Sequence, residues 1–167
     1  MPLIRLFLDI GLLRKGPQDG PASILLLAFT VSANLAVGTG LAFLEADGAE
    51  ALAQSLVGVL LLAGFLWITL NFTGKAPRLL KTATAAFGCD TLISLVAIPI
   101  LLWARLTPGA PGMAGMLLLV LMLWQMTVIG HILRHALSVS FLAGLGLALG
   151  YTVVSYRIMT TLFPPVA

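Results

Sequence analysis

Charged residues are scarce in this sequence. Of its 167 residues, nine are Lys or Arg and six are Asp or Glu, whereas 60% are apolar. A soluble domain carries about 25% charged residues, so this chain has too few to cover a surface that faces water. The mean hydropathy is +1.10. The charges stand in clusters between stretches of roughly 20 residues, the length that a helix needs to cross a bilayer.

The sequence also lacks several residues and motifs on which common functions depend. The single cysteine, Cys89, excludes an intramolecular disulfide. A net charge of +3 is too small to favour nucleic acid as a partner. The sequence has no Gly-rich phosphate loop, no pair of cysteines, no Ser-His-Asp set and no cluster of carboxylates. We therefore expect no enzyme activity and no cofactor.

Apolar segments separated by charged or Pro/Gly-rich turns predict an all-α fold, a polytopic bundle of five transmembrane helices. The connections are only about four to ten residues long, so residues 1–167 form one membrane domain. The predicted spans are about 21–44, 51–73, 82–104, 112–131 and 136–156. The fourth begins after the helix breaker 108–112, and Pro164-Pro165 follows the fifth.

The first residues, 2–15, are apolar but contain Arg5 and Asp9. The basic pair Arg14 and Lys15 follows the apolar part, whereas a secretory signal has its basic residues first. The pattern predicts a short uncleaved helix that lies in the membrane interface. Arg5 and Asp9 are four residues apart and are expected to pair on that helix.

The basic residues predict the orientation in the membrane. With five spans, one side contains Arg5, Arg14, Lys15, Lys75, Arg78, Lys81 and Arg134. The other side contains Arg105 and Arg157, together with the acidic residues Glu45, Asp47 and Glu50. Because basic residues are enriched in cytoplasmic loops, the N-terminus is predicted to be cytoplasmic and the C-terminus outside.

Asp90 is the one acidic residue inside a predicted span. An acid within a membrane is buried among helices or faces a wet cavity, and it is a functional candidate by default. Gln125 lies at a similar depth and is the expected partner, whereas Arg157 differs in depth by more than about 15 Å. Asn34, near the middle of the first span, completes a candidate polar site. A structural contact and a functional site remain alternative interpretations.

His131 and His135 are four residues apart at the inner end of the fourth span, so both rings lie on one helix face. A metal ion can use such a pair, but a third ligand is missing nearby. Cys89 or Asp90 can supply it only if the fold brings them close. Histidines that complement a helix C-terminus are the commoner case, so we predict no metal.

Gly146 and Gly150 form a Gly-x-x-x-Gly motif in the fifth span. Small residues allow helices to approach closely in lipid, where the hydrophobic effect contributes little to their association. The motif predicts helix packing within the bundle, or alternatively a dimerisation face.

Two segments resemble the Yip family (Ypt-interacting proteins) of five-span membrane proteins, and together they cover about a third of the chain. The first runs from Gly74-Lys75-Ala76-Pro77-Arg78 through Lys81-Thr82-Ala83 and Phe87-Gly88 to Ala97-Ile98-Pro99-Ile100. The second runs from Leu123-Trp124-Gln125-Met126 through Ile129-Gly130-His131 to Leu137-Ser138-Val139-Ser140. The resemblance implies five spans with the N-terminus inside. A short segment before the first span departs from the eukaryotic pattern, so we do not carry over small-GTPase binding, and it favours a bacterial inner membrane.

Three functional hypotheses follow. The first is a non-enzymatic scaffold or accessory subunit whose partners are the lipid bilayer and other membrane proteins or a second copy. The second is a transporter or channel subunit that uses Asp90. The third is a metal-dependent enzyme that uses His131 and His135. The surroundings of Asp90 distinguish the first two, since a wet cavity favours transport and a sealed contact favours packing.

Overall fold

A computed structural model describes residues 2–44, 46–107 and 111–164. Glu45, residues 108–110 of the predicted breaker and Pro165 lie outside them. Every regular element within these ranges is helical. The α-helices are α1 (Pro2–Gly11), α2 (Ile24–Ala42), α3 (Gly48–Phe72), α4 (Leu79–Leu106), α5 (Pro111–Leu137) and α6 (Phe141–Leu162). Short 3₁₀ turns at Pro17–Asp19 and Ala76–Arg78 precede α2 and α4.

The predicted all-α bundle with five spans is confirmed. Helices α2 to α6 are each long and apolar enough to cross a membrane. The largest differences in boundaries concern the last two helices, since α5 ends at Leu137 rather than at His131 and α6 occupies Phe141–Leu162 rather than 136–156. The last turn of α5 contains Arg134 and His135, which complement the negative end of the helix dipole. Ser140 then caps α6, because its Oγ accepts a hydrogen bond from Ala143 N at 3.2 Å.

Helix α4 lies at the centre of the bundle. It packs against α1, α2, α3 and α5, while α6 packs against α5 and α3. Every residue from Thr82 to Cys89 is buried. Most of these side chains are small, which allows several neighbouring helices to approach α4 closely.

Three connecting segments meet at one end of the bundle. Arg78 donates hydrogen bonds to the carbonyl oxygen of Ala136 at 2.9 Å and to Ser138 Oγ at 2.8 Å. Lys81 donates to the carbonyl oxygen of Gln18 at 3.0 Å. These contacts join residues 12–20, the turn before α4 and the turn before α6. We call this the basic end, and the end formed by Ala42, Gly48 and Leu106 the opposite end.

The predicted helix at 2–15 is present as α1, and its place in a membrane interface stays a prediction. It packs against α4 and α5, with Phe7 and Ile10 buried. Trp124 Nε1 donates a hydrogen bond to the carbonyl oxygen of Gly11 at 2.9 Å. The predicted pair of Arg5 with Asp9 is wrong, since Asp9 instead forms an ion pair with Lys15 at 3.2 Å. The chain turns back after Gly11, and this turn brings Lys15 to the carboxylate.

Helices α5 and α6 cross at Gly130 and Gly144. A Cβ atom added to Gly144 would lie 2.4 Å from the carbonyl oxygen of Gly130. A Cβ at Gly146 or Gly150 would meet nothing within 4 Å, so neither glycine is at a close helix contact of this kind, and their role in packing stays a prediction. A helix turns by about 100° per residue, so Gly146 lies on nearly the opposite side of α6 from Gly144. The motif as a dimerisation face remains a prediction.

Candidate functional site

The predicted polar residues come together in the interior of the bundle. Asp90 is on α4, Asn34 on α2 and Gln125 on α5. Counted along their own helices from the basic end, the three lie at depths of about 15 to 18 Å. Because their depths agree and α4 packs against both other helices, the side chains meet at one level.

Both carboxylate oxygens of Asp90 accept hydrogen bonds. Asn34 Nδ2 donates to Asp90 Oδ2 at 2.5 Å, and Gln125 Nε2 donates to Asp90 Oδ1. A buried carboxylate is costly unless it is hydrogen-bonded, and two amide donors offset part of this cost. The two amides also fix the direction of the carboxylate.

Neutral donors, rather than a cation, surround Asp90. Within the described ranges the one ion pair joins Lys15 to Asp9. Arg157 is near the end of α6 that lies away from the basic end, so it differs in depth from Asp90, as predicted. An acid without a basic partner is therefore held between three helices, and a mobile cation is one species that can neutralise it.

A cavity of about 180 Å³ adjoins this cluster, and Asp90, Asn34, Gln125, Ser55 and Tyr151 are among its lining residues. Ser55 Oγ and Gln125 Oε1 are both buried and have no hydrogen-bond partner among the described residues. Buried polar atoms are rarely left unpaired. A polar cavity of this size holds several water molecules, which can supply the missing partners.

A second cavity, of about 300 Å³, adjoins the first. The two share Gly38 and Ser55, and the second extends along Leu41 and Gln54 near the opposite end. Toward the basic end, the fully buried side chains of Leu66 and Ile132 close the bundle. The cavity beside Asp90 therefore adjoins a second cavity toward the opposite end, and fully buried side chains lie on the side of the basic end.

Sequence reasoning missed Ser55, which lines both cavities. A signal was present, because Gln54 and Ser55 are adjacent polar residues in the first half of an otherwise apolar span. Their direction was not predictable, since the sequence does not show which face of α3 turns toward Asp90.

The two histidines contact the N-terminal segment. His131 Nε2 lies 2.9 Å from the carbonyl oxygen of Lys15. Arg134 Nε donates a hydrogen bond to His135 Nε2 at 3.3 Å. The two rings are 4.7 Å apart in an edge-to-face arrangement. Over the described ranges, no three His, Cys, Asp or Glu side chains are grouped so that they can hold a metal. Cys89 donates instead to the carbonyl oxygen of Phe7 at 3.5 Å.

Gly146 and Gly150 line an apolar groove between α3 and α6. The groove has a volume of about 430 Å³, and Gly64 and Tyr151 also line it. Both glycines of the motif are exposed on the outer surface of the bundle. They are therefore available to lipid or to another protein.

The fold and the polar cluster define an integral membrane protein of the helical-bundle class, with an acid held in its interior. No family model, no curated protein and no solved structure matches the chain. The resemblance to the Yip family therefore stays a prediction from the sequence.

Proposed function

We propose that the protein is a small transporter subunit that moves a proton or another small cation by way of Asp90. The observation that carries the proposal is the cavity beside Asp90, with Ser55 Oγ and Gln125 Oε1 unpaired at its wall. A carboxylate and two neutral oxygens are ligands that suit a hydrated proton or a hard cation. A purely structural contact has no need of a cavity at the carboxylate.

The arrangement of the cavities supports a carrier better than an open channel. The cavity beside Asp90 adjoins a second cavity toward the opposite end, whereas buried side chains such as Leu66 and Ile132 lie on the side of the basic end. A carrier exposes its site to one side at a time. This conformation corresponds to access from the opposite end.

Flux in reconstituted vesicles tests the proposal. Purified protein is placed in liposomes, and an imposed gradient of protons or of radioactive sodium is followed with and without a membrane potential. We expect wild-type protein to accelerate the movement of one of these ions. Asp90→Asn keeps the shape of the side chain and removes its charge, so flux should fall to that of empty vesicles.

Two further variants separate function from folding. Ser55→Ala removes an unpaired oxygen without touching the contacts of Asp90, and we expect reduced flux. Asp9→Asn makes the same chemical change as Asp90→Asn outside the cluster, and flux should be unchanged. Wild-type vesicles that move neither ion, or Asp90→Asn vesicles that keep full flux, would show that the proposal is wrong.

A second candidate function is that of an accessory subunit that binds a transmembrane helix of a partner protein. The groove between α3 and α6 supports it, because Gly146 and Gly150 are exposed there and allow close approach of another helix. Crosslinking in native membranes tests it. Gly146→Leu should abolish a reproducible crosslinked neighbour, whereas Gly115→Leu on α5, where nothing lies within 4 Å, should not. A strictly monomeric chain with no neighbour would contradict this candidate.

We also propose that the basic end faces the cytoplasm of a bacterial inner membrane. Lys75, Arg78 and Lys81 lie at this end, whereas Arg105 and Arg157 lie toward the other. The preference of Lys and Arg for cytoplasmic loops supports this orientation. Alkaline phosphatase fused after α6 should be active and green fluorescent protein fused there should be dark. The reverse pattern would overturn the orientation.

A further inference from the structure

A polar cavity of about 420 Å³ lies at the basic end, away from Asp90. The start of α4, the end of α5 and the turn at Pro17–Asp19 enclose it. Arg78, Lys81 and His135 line it, and Gln18 and Ser138 add polar groups. Its lining therefore contains two fixed cations and no carboxylate.

The two cations have neutral partners only. Arg78 Nη1 donates to the carbonyl oxygens of His135 and Ala136 and to Ser138 Oγ. In the ranges that the structure describes, Nε and Nη2 of Arg78 have no acceptor. Lys81 Nζ donates to the carbonyl oxygen of Gln18 at 3.0 Å. The nearby Asp19 accepts from the backbone N–H of Gly16 at 2.9 Å.

The helix that begins at this cavity adds to the positive potential. Helix α4 has no acidic residue in its first turn, and the residue before it, Arg78, forms no side-chain cap. The N-terminus of a helix carries about half a positive charge, which an acidic residue or a bound anion ordinarily complements. Here Arg78 and Lys81 add like charge instead. The end of α5 offsets part of this potential, since Arg78 donates to its last carbonyls.

We propose that this cavity binds a phosphate group, supplied by the headgroup of an anionic phospholipid. The unused face of a guanidinium matches two phosphate oxygens, and a lysine adds a point charge. The cavity lies at one end of five membrane-crossing helices, which is the level of lipid headgroups. Basic pockets between transmembrane helices bind such headgroups.

Native mass spectrometry of the purified full-length chain tests the proposal. The protein is equilibrated in detergent with phosphatidylglycerol, with phosphatidylcholine or with inorganic phosphate, and bound molecules are counted. We expect one phosphatidylglycerol to be retained more tightly than phosphatidylcholine. Lys81→Gln should weaken this retention about tenfold, because it removes one charge-assisted hydrogen bond worth roughly 1.5 kcal/mol.

Arg105→Gln is the matched control, since it removes one positive charge at the other end of α4. Arg78→Gln should weaken retention further, but Arg78 also holds the end of α5, so Lys81→Gln remains decisive if that variant fails to fold. Binding of inorganic phosphate with the same sensitivity to Lys81→Gln would assign free phosphate as the source. Equal retention of both lipids, or equal effects of Lys81→Gln and Arg105→Gln, would overturn the proposal.

Discussion

Fully buried side chains are concentrated in the half of the bundle next to the basic end. They include Leu66 and Leu70 on α3, residues 82–89 on α4 and residues 128–133 on α5. In the opposite half, Ala51, Ala114 and, just past the middle of α4, Ile93 are the buried hydrophobic residues within the described ranges. The cavity lined by Asp90 and the cavity that adjoins it lie toward that second half.

This difference shows that one small bundle can combine a tightly packed half with a loosely packed half. Small residues of α4 permit close contact near the basic end, and α1 adds Phe7 and Ile10 to the same core. Regions with few buried contacts open at lower free energy than the core does. Asp90 lies near the boundary of the two halves, a position that is consistent with the proposed carrier function.

The largest expected effect tests the packed half directly. Leu66→Ala removes a fully buried side chain and should lower the free energy of unfolding by about 2–5 kcal/mol. Leu60→Ala on the same helix removes a side chain that is 68% exposed, so its effect should stay within about 0.5 kcal/mol. Unfolding in mixed detergent micelles measures both. Equal losses would contradict the difference between the halves.

A smaller effect is expected at the crossing of α5 and α6. In Gly144→Ala the new methyl group meets backbone atoms of Gly130 and Arg134, which cannot move aside like a side chain. The helices must separate, at a cost of about 1–3 kcal/mol. Gly146→Ala adds the same methyl group where nothing lies within 4 Å and should leave the melting temperature unchanged. If Gly146→Ala is the more damaging variant, the assignment of the two faces of α6 is wrong.

The attachment of α1 gives a third comparison, with Cys89 as the reporter. Cys89 is 1% exposed, so maleimide should not label it in the folded wild-type protein. A Cβ at Gly88 would lie 2.5 Å from the ring of Phe7, so Gly88→Ala should shift α1 and lower stability by about 1 kcal/mol. Labelling of Cys89 should then increase.

Gly64→Ala is the control for this measurement, since nothing lies within 4 Å of that position on α3. Labelling of Cys89 should be the same as in wild-type protein. Cys89 that reacts freely in the wild-type protein would contradict the placement of α1 against α4.

The smallest effect is expected in the half with the cavities. Ser55→Ala removes a hydroxyl that has no partner among the described residues, so the free energy of unfolding should change by less than about 0.5 kcal/mol. The same unfolding measurement in mixed micelles checks it. A loss above about 1 kcal/mol would mean that water or an ion binds the hydroxyl, which would place a bound species in the cavity.

The depth of polar residues was predictable from the sequence. Each helical residue advances by about 1.5 Å, so the flanking charges predicted similar levels for Asp90 and Gln125, although α5 continues to Leu137 and Gln125 lies deeper than predicted. The hydrogen bond from Gln125 to Asp90 required in addition that α4 and α5 be neighbours. The contact of Asn34 likewise depended on α2 lying beside α4.

The sequence by itself determined that this is a helical membrane protein. It has few charges and five long apolar segments, and within a bilayer such segments can form all their backbone hydrogen bonds as helices. Which face of each span turns inward was decided only by the tertiary structure. Lipid and protein interior are both apolar, so a span carries little amphipathic pattern to show its direction. For the same reason the sequence did not show that Gly144, rather than Gly146, packs at the helix crossing, or that Ser55 faces the cavity. Helix α1 is amphipathic, a pattern that fits a membrane surface and a protein surface equally, and only the tertiary structure showed that it packs against α4.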